Sequence, residues 1–298
     1  MNEEAGSSDD ASRRAETGGP AAEPDFVAVE SARLTALPAF PRAVRDYTVE
    51  TARFREAPRL VNKLISYHTR WRVVSYLIYL AADRETFGPL GGATYGRMLE
   101  LCERRKTASP RVLKTVLALL KFTGFVEAVS DGVDRRLKHY RPTPRMAGFI
   151  DRWISYAVAT LDILQPELNR TRMSRDDPGF AERFFISAGR SHATDQLLAD
   201  RMPEFMAFFG ERDGATAVML TVMLADIDGT PMPSRAAIAE RFGFSKSQIA
   251  KVLVEGEALG FFKLDAAGSP LATQRLRDEY RRWISTELAF YAHHMRHA

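Results

Sequence analysis

The sequence has a single cysteine, Cys102, among 298 residues, which excludes a disulfide framework and any zinc site built from cysteine pairs. It also lacks long apolar runs. The longest, Val73–Ala82 and Ala215–Ala225, are bounded by Arg72 and Asp83 and by Gly214 and Asp226. A bilayer span needs about 20 apolar residues, so both runs read as buried core helices. The first 25 residues, MNEEAGSSDDASRRAETGGPAAEPD, lack the apolar segment of a secretion signal. They are acidic and rich in Ala, Gly and Ser, a composition that cannot bury enough surface to order itself. Residues 1–36 are therefore expected to form a disordered acidic tail, and the protein is expected to reside in the cytoplasm.

Composition is otherwise ordinary, with 45% hydrophobic and 27% charged residues. A chain of this length can build a core without a disulfide or metal. At roughly 100–200 residues per domain it suggests two domains, divided here as 37–165 and 166–298. The net charge of +4 hides a split. Residues 1–25 hold seven acidic and two basic side chains, −5 in all, so the remainder carries +9. A basic body favours an anionic partner, with nucleic acid the first candidate.

One block occurs twice. Ser109–Phe125, SPRVLKTVLALLKFTGF, aligns without gaps on Ser245–Phe261, SKSQIAKVLVEGEALGF. Leu113 meets Ile249, Val116 meets Val252, Leu117 meets Leu253, Gly124 meets Gly260 and Phe125 meets Phe261. Downstream, Arg152-Trp153-Ile154-Ser155 recurs as Arg282-Trp283-Ile284-Ser285, with six fewer residues between the blocks. Upstream, the apolar helix at Trp71–Asp83 has its counterpart at Ala215–Asp226. Three matched blocks in one order indicate an internal duplication.

Each unit follows one plan. A buried helix leads into a loop and then a short amphipathic helix (Tyr95–Arg105; Arg235–Phe242). A tight turn follows, then a second helix opening at an N-capping serine, Ser109 or Ser245. Pro110 suits the first helical turn. Leu113, Val116, Leu117 and Leu120 share one face at helical spacing, and Gly124 and Gly260 close their helices. Phe125–Val129 reads as a strand, Asp131-Gly132 as a turn and Leu137–Arg141 as a returning strand. Leu119–Val126, then Asp131–Lys138 with its Asp134-Arg135-Arg136, then Arg141-Pro142-Thr143-Pro144-Arg145 resemble the MarR-type winged helix-turn-helix regulators of bacteria. The resemblance covers about residues 60–165 well and 205–298 weakly. It implies a mainly α fold with two winged helix-turn-helix units, each with a small β-hairpin wing, connected by long helices. The second unit lacks the arginine pair of the wing. Its equivalent, Lys263–Pro270, is short and nearly uncharged.

A helix lying in a major groove needs short polar or cationic side chains on its outward face. Subtracting the core positions leaves Ser109, Arg111, Lys114, Thr115 and Ala118. Arg111 could bridge a guanine, Ser109 and Thr115 reach phosphates or base edges, and Lys114 supplies charge. In the wing, Arg135, Arg136, Lys138, His139 and Arg141 fall close together, with Arg145 just beyond. Alternation along a strand would put Arg136 and Lys138 on one face. The resemblance implies a minor-groove or backbone contact for Arg135 or Arg136; an Asp134–arginine ion pair holding the hairpin is the plainer alternative. Arg104, Arg105 and Lys106 could flank the DNA backbone or simply form a solvated helix end. In the second unit the outward set is Lys246, Ser247, Gln248 and Lys251. Gln248 could read adenine, or the unit could be a degenerate copy kept for pairing with the first.

Enzyme chemistry finds little support. Gly88–Gly96 is glycine-rich but lacks the lysine and strand of a phosphate loop, and reads as a connector. His293 and His297 stand four apart without a third ligand nearby, so no metal site is expected. His192, in an expected loop, has no triad partners. Cys102 reads as buried and apolar, and Trp153 and Trp283 as packing between long helices. The resulting expectation is a non-enzymatic, sequence-specific binder of double-stranded DNA in transcriptional control. It would act as a single-chain pseudo-dimer, or as a homodimer joined through Asp151–Leu164 and Trp283–His294. The resemblance also implies a small aromatic effector, for which Phe184-Phe185 and Phe208-Phe209 could line a pocket. Alternatives are a plasmid replication initiator with paired winged-helix domains and a winged-helix module that binds protein instead of DNA.

Overall fold

The computed structural model describes residues 25–56, 67–131, 134, 136–194 and 198–296. Helix α1 (Phe26–Thr35) is capped by the Asp25 carboxylate, which accepts the Val27 and Ala28 N–H groups at 3.1 and 3.2 Å. Val27, Glu30 and Leu34 fall on one buried face, and this face lies along the last helix of the chain. The unstructured tail expected through residue 36 is therefore corrected for residues 25–36. The average composition of the first 36 residues concealed a short amphipathic helix at their end.

The first half continues with α2 (Phe40–Phe54), α3 (His68–Ala82), a single turn at Arg84–Phe87, α4 (Tyr95–Arg104), α5 (Pro110–Phe122), β1 (Val126–Ser130), β2 (Lys138–Pro142) and α6 (Pro144–Leu164). The second half holds α7 (Arg170–Asp176), α8 (Phe180–Thr194), α9 (Ala215–Asp228), α10 (Arg235–Phe242), α11 (Lys246–Ala258), β3 (Phe262–Leu264), β4 (Pro270–Ala272) and α12 (Gln274–His294). The protein is mainly helical, with two small antiparallel sheets, β1–β2 and β3–β4. Among the described residues no helix is long and apolar enough to cross a membrane. His192 lies inside α8, stacked on Phe290 at 4.8 Å, and not in the loop expected for it. The helix runs without interruption across Phe180–Thr194.

The duplication is visible in stereochemistry as well as in sequence. Ser109 and Ser245 cap α5 and α11, accepting the N–H of the residue three further on. Gly124 and Gly260 take φ of 71° and 75°, a left-handed geometry that glycine adopts without a Cβ penalty. Phe125 and Phe261 then donate their N–H to Leu120 and Gly256 at 2.9 and 2.8 Å. Thr143 and Thr273 each donate a hydroxyl to the glycine carbonyl at 2.7 Å. Arg145 and Arg275 each reach back to a carbonyl at the helix end, Thr123 at 2.6 Å and Leu259 at 2.7 Å. Helices α6 and α12, which follow these fastenings, are both 21 residues long.

The two halves share one apolar core. Helix α8 packs on α3, α2 on α9, α1 on α12, and α6 touches α12. Polar links cross as well. Arg190 donates to both Asp83 oxygens at 3.1–3.2 Å, and Arg45 to both Asp228 oxygens at 2.6 and 3.1 Å. The boundary drawn at 165/166 thus runs through a common interior, because the helices joining the repeats fold back across it. The same packing bears on the homodimer expected through Asp151–Leu164 and Trp283–His294. Trp153, Ile154, Ala157, Val158 and Leu161, and equally Trp283, Ile284, Leu288 and Ala292, are buried within the chain. These faces are already covered.

Candidate nucleic-acid interface

The turn between α4 and α5 is set from below. Tyr76 of α3 meets the Thr107 hydroxyl at 3.0 Å, the Thr107 N–H bonds the Cys102 carbonyl at 2.8 Å, and Lys106 takes a left-handed φ of 48°. Cys102 is fully buried, and burial pushes its thiol up to about 11. With the turn fixed, Leu113, Val116, Leu117 and Leu120 bury one side of α5. Ser109, Arg111, Lys114, Thr115 and Ala118 are exposed on the other, as the helical spacing predicts. Among the described residues the Arg111 side chain has no ion-pair or hydrogen-bond partner. Lys114 Nζ stands 5.7 Å from the Tyr95 ring centre. The Thr115 hydroxyl is turned back onto the Arg111 carbonyl at 2.9 Å. Arg104 and Lys106 are exposed beside the turn, whereas Arg105 is half-buried.

The hairpin pairs Val126 with Pro142 through Ser130 with Lys138. It is anchored by His139, whose ring is buried between the Gly91 carbonyl (Nδ1, 3.0 Å) and the Asp131 carboxylate (Nε2, 3.3 Å). His139 therefore belongs to the interior and not to the basic surface expected of it. The glycine-rich connector contributes here in a way the sequence did not announce. Thr94 forms an isolated bridge with His139, and the Tyr140 N–H bonds the Ala93 carbonyl at 2.7 Å, tying the connector to the hairpin. Gly91 lets the connector lie against the end of α3, since a Cβ there would lie 2.6 Å from the Ala81 carbonyl oxygen.

The hairpin cations have different roles. Arg136 is exposed in the turn before β2, its N–H on the Asp134 carboxylate at 2.9 Å. Because the strand starts at Lys138, strand alternation does not place Arg136 and Lys138 on one face. Lys138 donates to the Ser130 hydroxyl at 2.5 Å and Arg141 to Glu127 at 2.8 Å across the ladder. Such exposed pairs are worth under about 1 kcal/mol and can be exchanged for another anion. Arg135 lies outside the described residues. Arg145 is taken up in capping α5 and lies 5.1 Å from the Phe125 ring centre.

The second unit presents a different face. Lys246, Ser247, Gln248 and Lys251 are all exposed on α11. The Gln248 side chain accepts the Ser245 N–H at 2.9 Å and completes a capping box. Reading adenine would cost the helix this bond, a role hidden by treating glutamine only as a base reader. Ser247 contacts the Ser245 hydroxyl at 3.0 Å, and Lys251 stands 4.0 Å from Glu255. The β3–β4 turn is closed by Asp265, which accepts the Ala267 and Ser269 N–H groups at 2.9 and 2.8 Å.

No protein-family model, curated protein or solved structure matches this chain. Among the described residues no group of three His, Cys, Asp or Glu side chains is placed to hold a metal ion. His293 stacks on Phe26 at 3.7 Å, and His297 lies outside the described residues. Sequence reasoning missed Phe122, a large apolar side chain left 79% exposed at the end of α5. Of the aromatic pairs singled out for a pocket, Phe184, Phe185 and Phe209 line a cavity between the repeats. Phe208 instead stacks on Phe261 at 5.6 Å.

Proposed function

We propose that the chain is a sequence-specific, double-stranded DNA-binding regulator built from two winged helix-turn-helix units that act as a single-chain pseudo-dimer. The observation that carries this reading is the outward face of α5. Ser109, Arg111, Lys114 and Thr115 stand exposed at the start of a helix whose other side is buried, next to a hairpin bearing Arg136, Lys138 and Arg141. A helix so placed can enter a major groove while the hairpin grips the backbone or minor groove. Arg111, without a side-chain partner among the described residues, is the residue for a guanine edge. The α10–turn–α11 arrangement repeats the pattern with Lys246 and Lys251 as phosphate contacts.

The test is selection from a random duplex library with the purified full chain at near-physiological salt, followed by salt titration of the enriched duplex. Two related half-sites, spaced by about one helical turn of roughly 34 Å, are expected. The affinity should fall with salt at a slope near −0.9 per phosphate neutralised. Replacing Arg111 and Arg136 together by alanine should flatten the slope and erode sequence preference. Absence of enrichment, or a doubly substituted protein that binds like its parent, would overturn the proposal and leave a protein-binding winged-helix module.

A further inference from the structure

The positive charge of the body is concentrated in one short stretch. Residues 25–298 carry a net +8, and +6 of it lies in residues 99–145, which hold eleven cations against five acids. The matching stretch of the second repeat, 235–275, holds six cations against four acids, a net of +2. The structure widens this contrast. Among the described residues Arg104, Lys106, Arg111 and Lys114 are exposed and form no ion pair. In the second repeat Arg241 pairs with Glu56 at 2.7 Å and Arg275 with Glu204 at 2.7 Å, and Lys251 stands 4.0 Å from Glu255. The cations at the start of α5 thus stand without counter-charge on the described surface, next to the cations of the first hairpin.

The same chain carries charge of the opposite sign. Residues 1–24 contain six carboxylates, Glu3, Glu4, Asp9, Asp10, Glu16 and Glu23, against two arginines. A segment biased to one sign favours a surface of the other. It joins the body at a fixed point, because Asp25 caps α1 and its carboxylate accepts Arg201 Nη2 at 2.8 Å. A segment of this length can extend to about 80 Å, whereas a body of about 270 residues has a radius of gyration of only about 19 Å. Every face is therefore within reach, and charge decides which one is taken. Tethering holds the segment at an effective concentration on the order of mM. Exposed ion pairs worth under about 1 kcal/mol each can then add up to occupancy.

We infer that the acidic segment 1–24 docks on the basic face formed by α5 and the β1–β2 hairpin of its own chain, and covers that face until a denser polyanion displaces it. The docking is independent of DNA. Its consequence, competition between the segment's carboxylates and phosphate, rests on the DNA-binding reading.

The first test uses no DNA. The purified full chain is treated with a water-soluble carbodiimide, which joins carboxylates to lysines in direct contact, and the monomer is digested and mapped by mass spectrometry. At about 0.01 M salt, where the screening length is roughly 30 Å, the carboxylates of residues 1–24 should link to Lys106, Lys114 and Lys138 several times more often than to Lys246, Lys251 and Lys263. At about 1 M salt, with a screening length of roughly 3 Å, these links should disappear. A full-length variant carrying Glu3→Gln, Glu4→Gln, Asp9→Asn, Asp10→Asn, Glu16→Gln and Glu23→Gln leaves the folded body untouched. In it, Lys114 and Lys138 should react several times faster with an amine-acylating ester than in the parent, while Lys246 and Lys263 react at unchanged rates. Links spread evenly over the lysines of both repeats, links that survive high salt, or equal acylation in parent and variant would each overturn the inference. Duplex DNA of random sequence tests the consequence: at low salt the neutralised variant should bind it about tenfold more tightly than the parent. Equal affinities would overturn the competition. A chain that binds no duplex at all would sink the DNA-binding reading, while the cross-links still decide the docking.

Discussion

The two repeats agree inside and differ outside. Both keep the serine cap, the left-handed glycine, the threonine on the glycine carbonyl and the arginine that reaches back to the helix end. On the outward face Arg111 corresponds to Ser247, Lys114 to Ala250, Thr115 to Lys251 and Ala118 to Val254. The first hairpin pairs five residues with five, the second only three with three. Fastenings of the backbone are constrained by geometry, so drift in either copy would cost stability. Solvent-facing positions carry no such penalty and record what each copy touches. On the proposed DNA-binding reading the first repeat, with its basic hairpin, would be the reading unit and the second its supporting partner.

The sharpest internal difference is Glu287, which stands in α12 where α6 has the buried Ala157. Burial drives its carboxyl up to about 7 from 4.5, with the Tyr47 hydroxyl bond and Arg55 pulling the other way. The folded state thus holds a proton that the unfolded chain releases near pH 4.5. Glu287's contribution to stability is fully present below that value and is lost as pH rises toward 7, a change of up to about 3 kcal/mol. His68, whose basicity is depressed by burial, slopes the other way below pH 6.5 but is common to parent and variant. Glu287→Gln should therefore remove this loss when urea unfolding is followed from pH 4.5 to 7.5. An identical pH profile in parent and variant would show that the copies do not differ here.

Packing provides the second comparison. Leu120 and Val126 of the first repeat correspond to Gly256 and Phe262 of the second, so a large–medium pair has become a small–large one. A Cβ on Gly256 would lie 2.4 Å from the Phe262 ring. Gly256→Leu should destabilise the protein toward the upper end of about 1–3 kcal/mol, and adding Phe262→Val should restore much of it. Additive losses in the urea midpoints of the single and double variants would mean that the two positions are not an exchanged pair.

The surfaces can be compared on DNA. Arg111→Ala should cost roughly 1–3 kcal/mol on the selected duplex and relax preference at one base position. Lys246→Ala should cost less, act on all sequences alike and reduce the salt slope by about one unit. Equal, sequence-independent losses from both would remove the distinction between a reading and a supporting unit.

How much of this was legible in the sequence depends on the range of the interaction. The duplicated helices, their serine caps, the glycine closures and the outward face of α5 follow from local rules, and the structure agrees with them. The first hairpin was legible as strand–turn–strand, but its anchor on Gly91 and the isolated bridge at Thr94 join residues far apart in sequence. Basic residues were the hardest to sort. His139, Arg145 and Arg141 share a short stretch, yet one is buried, one caps a helix and one pairs across the ladder. Charge alone cannot distinguish these roles, since each depends on what the fold brings opposite. The helix at Phe26–Thr35 was missed for the reverse reason, because an average over an acidic tail diluted a clear local pattern.

The smallest expected effect tests whether the shared fastening is worth the same in both copies. Arg145 and Arg275 make the same bond to a helix-end carbonyl and lie over the same aromatic position, 5.1 and 4.5 Å from the Phe125 and Phe261 centres. Arg275 also pairs with Glu204 at 2.7 Å and Glu279 at 3.1 Å. If the carbonyl bond is what matters, Arg145→Met and Arg275→Met should each lower stability by about 1 kcal/mol and agree within a few tenths, because exposed ion pairs add little. Repeating the urea unfolding in about 1 M salt, where the screening length falls to roughly 3 Å, should leave both losses nearly unchanged. A loss at Arg275 that is clearly larger and shrinks with salt would mean that its ion pairs, absent from the first copy, carry the fastening in the second.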